Sequence, residues 1–175
     1  MTDLPQMIRG TYGHPQSFWE QGLRLHRYGV NAVFIHGASL DAQTVERARS
    51  EGCRVFAEFA TLNGKYGDYV AHHPEAHPLD EAGRPVEPAT WFLGACPTDP
   101  GFRAYRMQAL RDLLRELPSL DGVWMDYLHW HAQFEDPYPI FEKTCFNNSC
   151  LTSFQEASGV TVPDGPIEER SEWIF

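Results

Sequence analysis

An aspartate stands at the end of an apolar run within "LDGVWMDYLHWHAQFED", residues 120–136. The run Val123–Met125 is typical of a β-strand, and Asp126 follows it directly. Strand alternation places Trp124 and Asp126 on one face. Because a buried carboxylate is costly unless it is paired or used in chemistry, Asp126 is a candidate catalytic acid. The alternative is an acid that caps the next loop or pairs with an arginine.

A second acid, Glu58, lies inside the apolar stretch "CRVFAEFATL" at 53–62. Glycoside hydrolysis requires two carboxylates, one as acid and one as nucleophile or base. Asp126 and Glu58 are therefore the predicted catalytic residues. For Glu58, a structural ion pair with Arg9 or Arg54 is the competing interpretation.

Aromatic and histidine side chains near the ends of the predicted strands are candidates for substrate binding. Aromatic rings stack on the apolar faces of sugars, and imidazoles hydrogen-bond hydroxyl groups. Trp91 and Trp130 are the predicted platforms because both lie in loops beyond strand ends. The predicted substrate-binding residues among them are Tyr12, His36, Trp91, His129, Trp130 and His131. The alternative is that these rings only pack loops onto the protein body.

Two groups of residues could bind metal. His129 and His131 form an HxH pair and His72, His73 and His77 cluster, as in metal-dependent hydrolases. Cys96, Cys145 and Cys150 supply three soft ligands, one fewer than a structural zinc site uses. His77 is a candidate fourth ligand, and Asn147 a poor one. The alternative is three free or buried thiols, and no other cofactor is required.

Strand and helix patterns alternate along the chain, which is typical of parallel βαβ units. Glycines after the first strand form neither GxGxxG nor a P-loop, so a closed barrel is favoured over nucleotide-binding sheets. Either way the ligand site lies at the carboxyl ends of the strands. The predicted strands are 7–13, 30–37, 53–62 and 122–128, and the predicted helices are 14–29, 40–52, 99–118 and part of 144–160.

Four strands are half of a (β/α)₈ barrel, which needs about 250 residues. The prediction is an α/β, TIM-barrel type domain over 1–175, with about four βα units, as a partial or truncated barrel. Its long loops are expected at 61–98, after the third strand, and at 129–175, after the fourth. Open barrel edges predict a homo-oligomer, since unpaired strands favour self-association.

The net charge of −10 argues against nucleic acid and anionic membranes as partners, because both favour basic surfaces. The N-terminus has no pattern of a signal peptide, and no apolar run approaches the length of a membrane span. Four cysteines are too few for a disulfide scaffold. A cytoplasmic location is the expectation.

Three stretches together resemble the N-terminal half of the hypothetical glycosyl-hydrolase-like TIM-barrel family. These proteins are related to α-amylase-like and family 42 β-galactosidase-like barrels. The stretches are "CRVFAEFATLNG", "HPEAHPLDEAGRPVEPATWFLGACPTDPGFRAYRMQALRDLL" and "LDGVWMDYLHWHAQFE".

The resemblance implies roles for several residues. It places Asp126 at the end of strand four as a nucleophile or substrate-binding acid, and Glu58 at the end of strand three. Glu135 matches an acid that follows the aromatic loop and joins the substrate-binding candidates. "CFNNSC" resembles a zinc-binding segment of some family 42 relatives, with Asn147 in the place of one cysteine.

The functional hypothesis is a glycoside-hydrolase-like domain that acts on a carbohydrate through carboxylates at the ends of its strands. One alternative is a non-catalytic carbohydrate-binding domain or a truncated barrel fragment. The other is a metal-dependent hydrolase.

Overall fold

The computed structural model of the chain describes residues 7–62, 64–89, 92–129, 137–138, 143–166 and 169. Four strands form one parallel sheet in the order β1-β2-β3-β4. They are β1 (Gly10–Tyr12), β2 (Ala32–His36), β3 (Arg54–Ala60) and β4 (Gly122–Asp126). Neighbours in the sheet are neighbours in sequence, as in a singly wound barrel, whereas a doubly wound sheet reverses its strand order. The strands of the predicted (β/α) architecture are therefore present.

The register of the sheet gives it two chemically different faces. Phe34 lies between Tyr12 of β1 and Phe56 of β3, and His36 lies beside Glu58. Residues in register in a parallel sheet point the same way. This face carries the aromatic and polar side chains.

The opposite face of the sheet is the apolar core. Val33, Ile35 and Val55 are fully buried there, and they cluster with Val45 and Ala48 of a following helix. Parallel sheets are covered by the helices of their crossover connections, so this face is hydrophobic. Cys53, which its position at the start of the third predicted strand predicts to be a core residue, belongs to the same cluster.

The helices in chain order are α1 (Gln16–Glu20), α2 (Ala42–Ser50), α3 (Gly67–His72), α4 (Pro100–Glu116) and α5 (Asn148–Ser158). Residue type and position predict Asp41 and Asp99 as the N-caps of α2 and α4, and both are confirmed. Asp41 Oδ1 accepts a hydrogen bond from Thr44 N at 2.7 Å, and Asp99 Oδ1 accepts one from Phe102 N at 2.7 Å. Gly159, with φ 72°, ends α5, as a glycine at the end of a helical pattern predicts.

The single helix predicted over 14–29 is wrong. The chain forms α1 and then a separate 3₁₀ helix, Leu25–Tyr28. Gly22 has φ 72°, a left-handed conformation that ends a helix. The second helix begins where Leu25 N donates to the buried carboxylate of Glu51 at 2.6 Å. That tertiary hydrogen bond leaves no pattern in the local sequence.

The apolar residues of the fourth strand predict burial on both of its faces, and this prediction is also wrong. Trp124 is 40% exposed and Met125 is 42% exposed. The sheet order puts β4 at an edge, next to β3 alone among the described strands. An edge strand has one neighbour instead of two, so its side chains are less covered. Association through the edges stays a prediction.

The chain forms two compact units, Met1–Phe59 with Ala109–Asp126 and Ala60–Gln108 with Tyr127–Phe175. The sheet's apolar core belongs to the first unit. The second unit has its own core, made by Tyr66, Val70, Ala76, Leu93, Ala95 and Phe102. The predicted loop over 61–98 thus contains a helix and buried residues. Among the described residues, no helix has the length and apolar character of a membrane span.

We expect Asp99→Ala to lower the free energy of unfolding by about 1 kcal/mol, since the N-cap hydrogen bond to the start of α4 is lost. Asp99→Asn keeps an acceptor oxygen at the same position and is the matched control. Denaturant unfolding measures both. Equal stability of the alanine variant and the wild type would contradict the capping role.

Candidate functional site

Glu58 is a buried carboxylate near the C-terminal end of β3. Its residue is only 1% exposed, and its register with His36 places it on the aromatic face of the sheet. The Tyr12 hydroxyl donates a hydrogen bond to Oε2. Oε1 is buried and has no hydrogen-bond partner in the described part of the chain. An acceptor left in this state costs free energy, which a ligand with a donor group would recover.

The competing interpretation of Glu58 was an ion pair with Arg9 or Arg54. Arg9 Nε instead donates to Gly29 O at 2.8 Å. Arg54 Nη2 is itself buried without a hydrogen-bond partner among the described residues. The ion pairs between described residues are made by other acids. The structural ion pair is therefore ruled out for these two arginines.

Aromatic rings line the same face of the sheet. Trp124 meets Tyr12 edge-on with ring centroids 5.5 Å apart, and it meets Phe34 in the same way at 5.2 Å. Phe34 stacks on Phe56 at 4.8 Å. An open cleft of about 500 Å³ runs along these rings, lined by Gly10, Thr11, Tyr12, Phe34, Phe56, Val123 and Trp124. Trp124 was not among the candidate platforms, although its alternation with Asp126 was visible in the sequence.

Asp126 is the last residue of β4 and is half-buried. Alternation along β4 gives it the orientation of Trp124, whose ring contacts identify the aromatic face. The next residue, Tyr127, has φ 53°. A bulky residue in the left-handed region is uncommon, and such strained backbone clusters at functional sites. The catalytic role of Asp126 stays a prediction.

His36 lies at the C-terminal end of β2 and is exposed. Its Nδ1 accepts a hydrogen bond from Ala38 N at 3.3 Å, which caps the short 3₁₀ turn Gly37–Ser39. Because Nδ1 is the acceptor, a neutral ring carries its proton on Nε2. His36 can therefore donate a hydrogen bond to a ligand.

Four predicted binding residues, Trp91, Trp130, His131 and Glu135, lie outside the described residues. His129 is described. It is half-buried, and its ring packs near Phe92 and Tyr127 with centroids about 6 Å apart. These contacts are within the second unit. Substrate binding by these five residues stays a prediction.

The three cysteines of the second unit come together in space. The Sγ atoms of Cys96, Cys145 and Cys150 all lie within 4.8 Å of one another, and Cys96 Sγ is 3.4 Å from Cys150 Sγ. Cys96 is fully buried and the other two are half-buried. Three convergent sulfurs are a fitting ligand set for zinc. The cluster can hold a metal ion.

Hydrogen bonds favour a thiolate in this cluster. The Cys145 and Cys150 thiols beside Cys96 hold the pKa of its thiol well below the usual range, with further help from Ser149 and Thr98. A thiolate is the form that ligates metal. Burial opposes this shift but does not outweigh it.

The histidine cluster of the metal-hydrolase alternative is dispersed. His72 Nδ1 lies 2.7 Å from Asp68 O, and His73 Nδ1 lies 3.3 Å from Glu75 Oε1. His77 Nε2 lies 3.2 Å from Val86 O. Among the described residues, the group close enough to share a metal ion is the cysteine cluster, and His77 is not part of it. The expectation of His77 as a fourth zinc ligand is wrong in this arrangement.

The chain is similar in fold to parts of two solved structures. No family model and no curated protein match the chain. A noncanonic maltogenic α-amylase, AmyB from Thermotoga neapolitana, is similar with a TM-score of 0.51 and 16% identity, over 69% of this chain and 39% of the amylase. The glycoside hydrolase domain of PelA from Pseudomonas aeruginosa has a TM-score of 0.47 at 15% identity, over 70% of this chain and 45% of that domain.

The chain thus spans about two fifths of the amylase. Its four-stranded parallel sheet with helices has a glycosyl-hydrolase-like fold and is consistent with a partial barrel. The predicted fold class is confirmed, and the predicted resemblance is confirmed as a likeness of fold. A sequence identity of 15–16% shows a similar fold and nothing about activity.

We expect Glu58→Gln to leave the free energy of unfolding unchanged or to raise it by about 1 kcal/mol. The amide removes a buried charge while its oxygen still accepts from Tyr12, and functional acids are commonly kept at a cost in stability. Glu46→Gln on the exposed surface of α2 is the control. Chemical denaturation measures both variants. A loss above about 2 kcal/mol would show a structural acid instead.

Proposed function

We propose that this chain is a carbohydrate-active domain of the glycoside hydrolase type, with Glu58 and Asp126 as its working carboxylates. The observation that carries the proposal is the buried Oε1 of Glu58, which has no hydrogen-bond partner among the described residues and lies near the C-terminal end of β3. Ligand sites of barrels lie at this end of the strands.

The Tyr12 hydroxyl group determines which carboxylate oxygen of Glu58 is left for a substrate. By donating to Oε2, it fixes the plane of the carboxyl group and leaves Oε1 for the substrate. In glycoside hydrolysis one carboxyl group protonates the leaving oxygen, and the other attacks the sugar or activates water. In this proposal Glu58 takes one role and Asp126 the other.

The aromatic face supplies the apolar part of a sugar site. Trp124 and Tyr12 are 40% and 59% exposed, so their rings are open to a ligand. Sugar rings present C–H groups that pack on aromatic faces. The Nε2–H of His36 adds a hydrogen-bond donor for a hydroxyl group. Carbohydrate is therefore the partner proposed for this face.

We expect wild-type protein to release reducing sugar from at least one member of a panel of α- and β-linked oligosaccharides. Glu58→Gln and Asp126→Asn should each lower kcat by about 10²-fold or more, because each loses acid–base or nucleophilic chemistry. Binding of the same sugar, measured by calorimetry, should persist in both variants. Glu46→Gln is the matched control and should retain full activity.

Other outcomes separate the candidate functions. Sugar binding without hydrolysis by the wild type would favour a non-catalytic carbohydrate-binding domain. Hydrolysis unaffected by both variants would contradict the assignment of these two acids. Activity lost to chelators but not to the two substitutions would favour a metal-dependent hydrolase.

We also propose that Cys96, Cys145 and Cys150 bind a structural zinc ion. The support is the close approach of their three Sγ atoms. Cys96 precedes α4, while Cys145 and Cys150 flank the start of α5. A shared ion would tie these two segments of the second unit together, as structural zinc does in small domains.

We expect purified protein to contain about one zinc ion per chain, measured by elemental analysis. Cys96→Ser should lose the metal, because two thiolates bind zinc far more weakly than three. Cys53→Ala removes a thiol from the other core and is the control, with zinc content unchanged. Removal of zinc by a chelator should lower the Tm. Metal-free protein with an unaltered Tm after zinc addition would contradict the site.

A further inference from the structure

Two hydroxyl groups stand beside the thiol cluster. Thr98 Oγ1 lies 3.1 Å from Cys150 Sγ and 3.3 Å from Cys96 Sγ. Ser149 Oγ lies 3.4 Å from Cys96 Sγ. The two oxygens are 3.0 Å apart, and the single hydroxyl proton of Thr98 is in reach of both Ser149 Oγ and Cys150 Sγ as acceptors. One oxygen atom is therefore adjacent to two of the three sulfurs.

These distances match a corner of a coordination tetrahedron. With Zn–S bonds of about 2.3 Å and Zn–O bonds of about 2.0 Å, sulfur and oxygen ligands of one ion lie about 3.5 Å apart. Thr98 Oγ1 is within a few tenths of an ångström of that separation from both Cys96 and Cys150.

The side chains expected to complete the site by sequence are engaged elsewhere. Asn147 Nδ2 donates to His77 O at 2.5 Å, and its backbone N–H donates to Cys145 Sγ at 3.4 Å. The ring of His77 is hydrogen-bonded to Val86 O. His77 is not part of the group of side chains that could share a metal ion.

We propose that the Thr98 hydroxyl oxygen is the fourth ligand of the zinc ion, in an S₃O site oriented by Ser149. This inference rests on the zinc site proposed above. The Thr98 oxygen binds the ion through a lone pair while its proton is donated to Ser149 Oγ. Such outer hydrogen bonds fix the orientation of metal ligands.

Charge favours this ligand set. Three thiolates and Zn²⁺ sum to a charge of −1, whereas four thiolates would leave −2. Ser149 and Cys150 are the second and third residues of α5. The N-terminus of a helix carries a partial positive charge, which stabilises a singly negative centre beside it.

The test uses the full chain loaded with zinc. X-ray absorption at the zinc edge should show three sulfur ligands and one oxygen ligand, with no imidazole signal. Thr98→Val should weaken zinc binding at least about 10-fold in competition with a chromophoric chelator, since loss of even an outer hydrogen-bond partner of a metal ligand costs about 10- to 100-fold. Thr98→Ser keeps the hydroxyl group and should retain wild-type affinity. Ser158→Ala removes a hydroxyl elsewhere in α5 and is the control.

Each outcome decides a different step. Stoichiometric zinc with four sulfurs or an imidazole, or with unaltered affinity in Thr98→Val, overturns the fourth ligand and leaves the zinc site standing. Absence of zinc from the wild type overturns both. Should Thr98→Val fail to fold by circular dichroism, the absorption spectrum of the wild type and the affinity of Thr98→Ser still decide.

Discussion

The parallel register of β1, β2 and β3 is the constraint on which the first unit depends. It converts the two-residue period of each strand into two faces of different chemistry. Val33, Ile35 and Val55 fall on the covered face, while Phe34 and Glu58 fall on the other. A shift of one residue would exchange these faces and bury polar groups in the core. The same register therefore provides both the hydrophobic core and the candidate site.

Burial of Glu58 is the feature that the packing alone does not explain. The aliphatic core is on the far face, so a carboxylate is not needed to complete it. The Tyr12 hydroxyl compensates one carboxylate oxygen, and the second has no partner in the described part of the chain. If Glu58 served only stability, a residue without a buried charge would fill the same position at a lower cost in free energy. A ligand rich in hydroxyl groups would donate a hydrogen bond to Oε1 and so offset the cost of burying the carboxylate.

Much of the fold could be predicted from the sequence because its signals are local. Strand–helix alternation gave the parallel sheet, and Asp41 and Asp99 were recognisable as N-caps from residue type and position. The features that were missed are tertiary. The carboxylate of Glu51 accepts a hydrogen bond from Leu25 N, the first residue of a 3₁₀ helix that lies 26 residues earlier in sequence. The position of β4 at the edge of the sheet leaves Trp124 exposed. Neither leaves a periodic pattern.

The candidate sites likewise combine features that are local in sequence with features that depend on the tertiary structure. The acids were visible as polar residues in apolar strands, but the hydrogen bond from Tyr12 to Glu58 depends on strands 46 residues apart in sequence. The three cysteines could be predicted as zinc ligands from their residue type. Thr98 could not, because a hydroxyl group is not a usual zinc ligand. Its proximity to two sulfurs becomes evident only when the start of α5 and the segment before α4 are brought together. The residue types indicate which side chains can take part in catalysis or metal binding. The fold determines which of these side chains lie close enough to act on one substrate or to bind one metal ion.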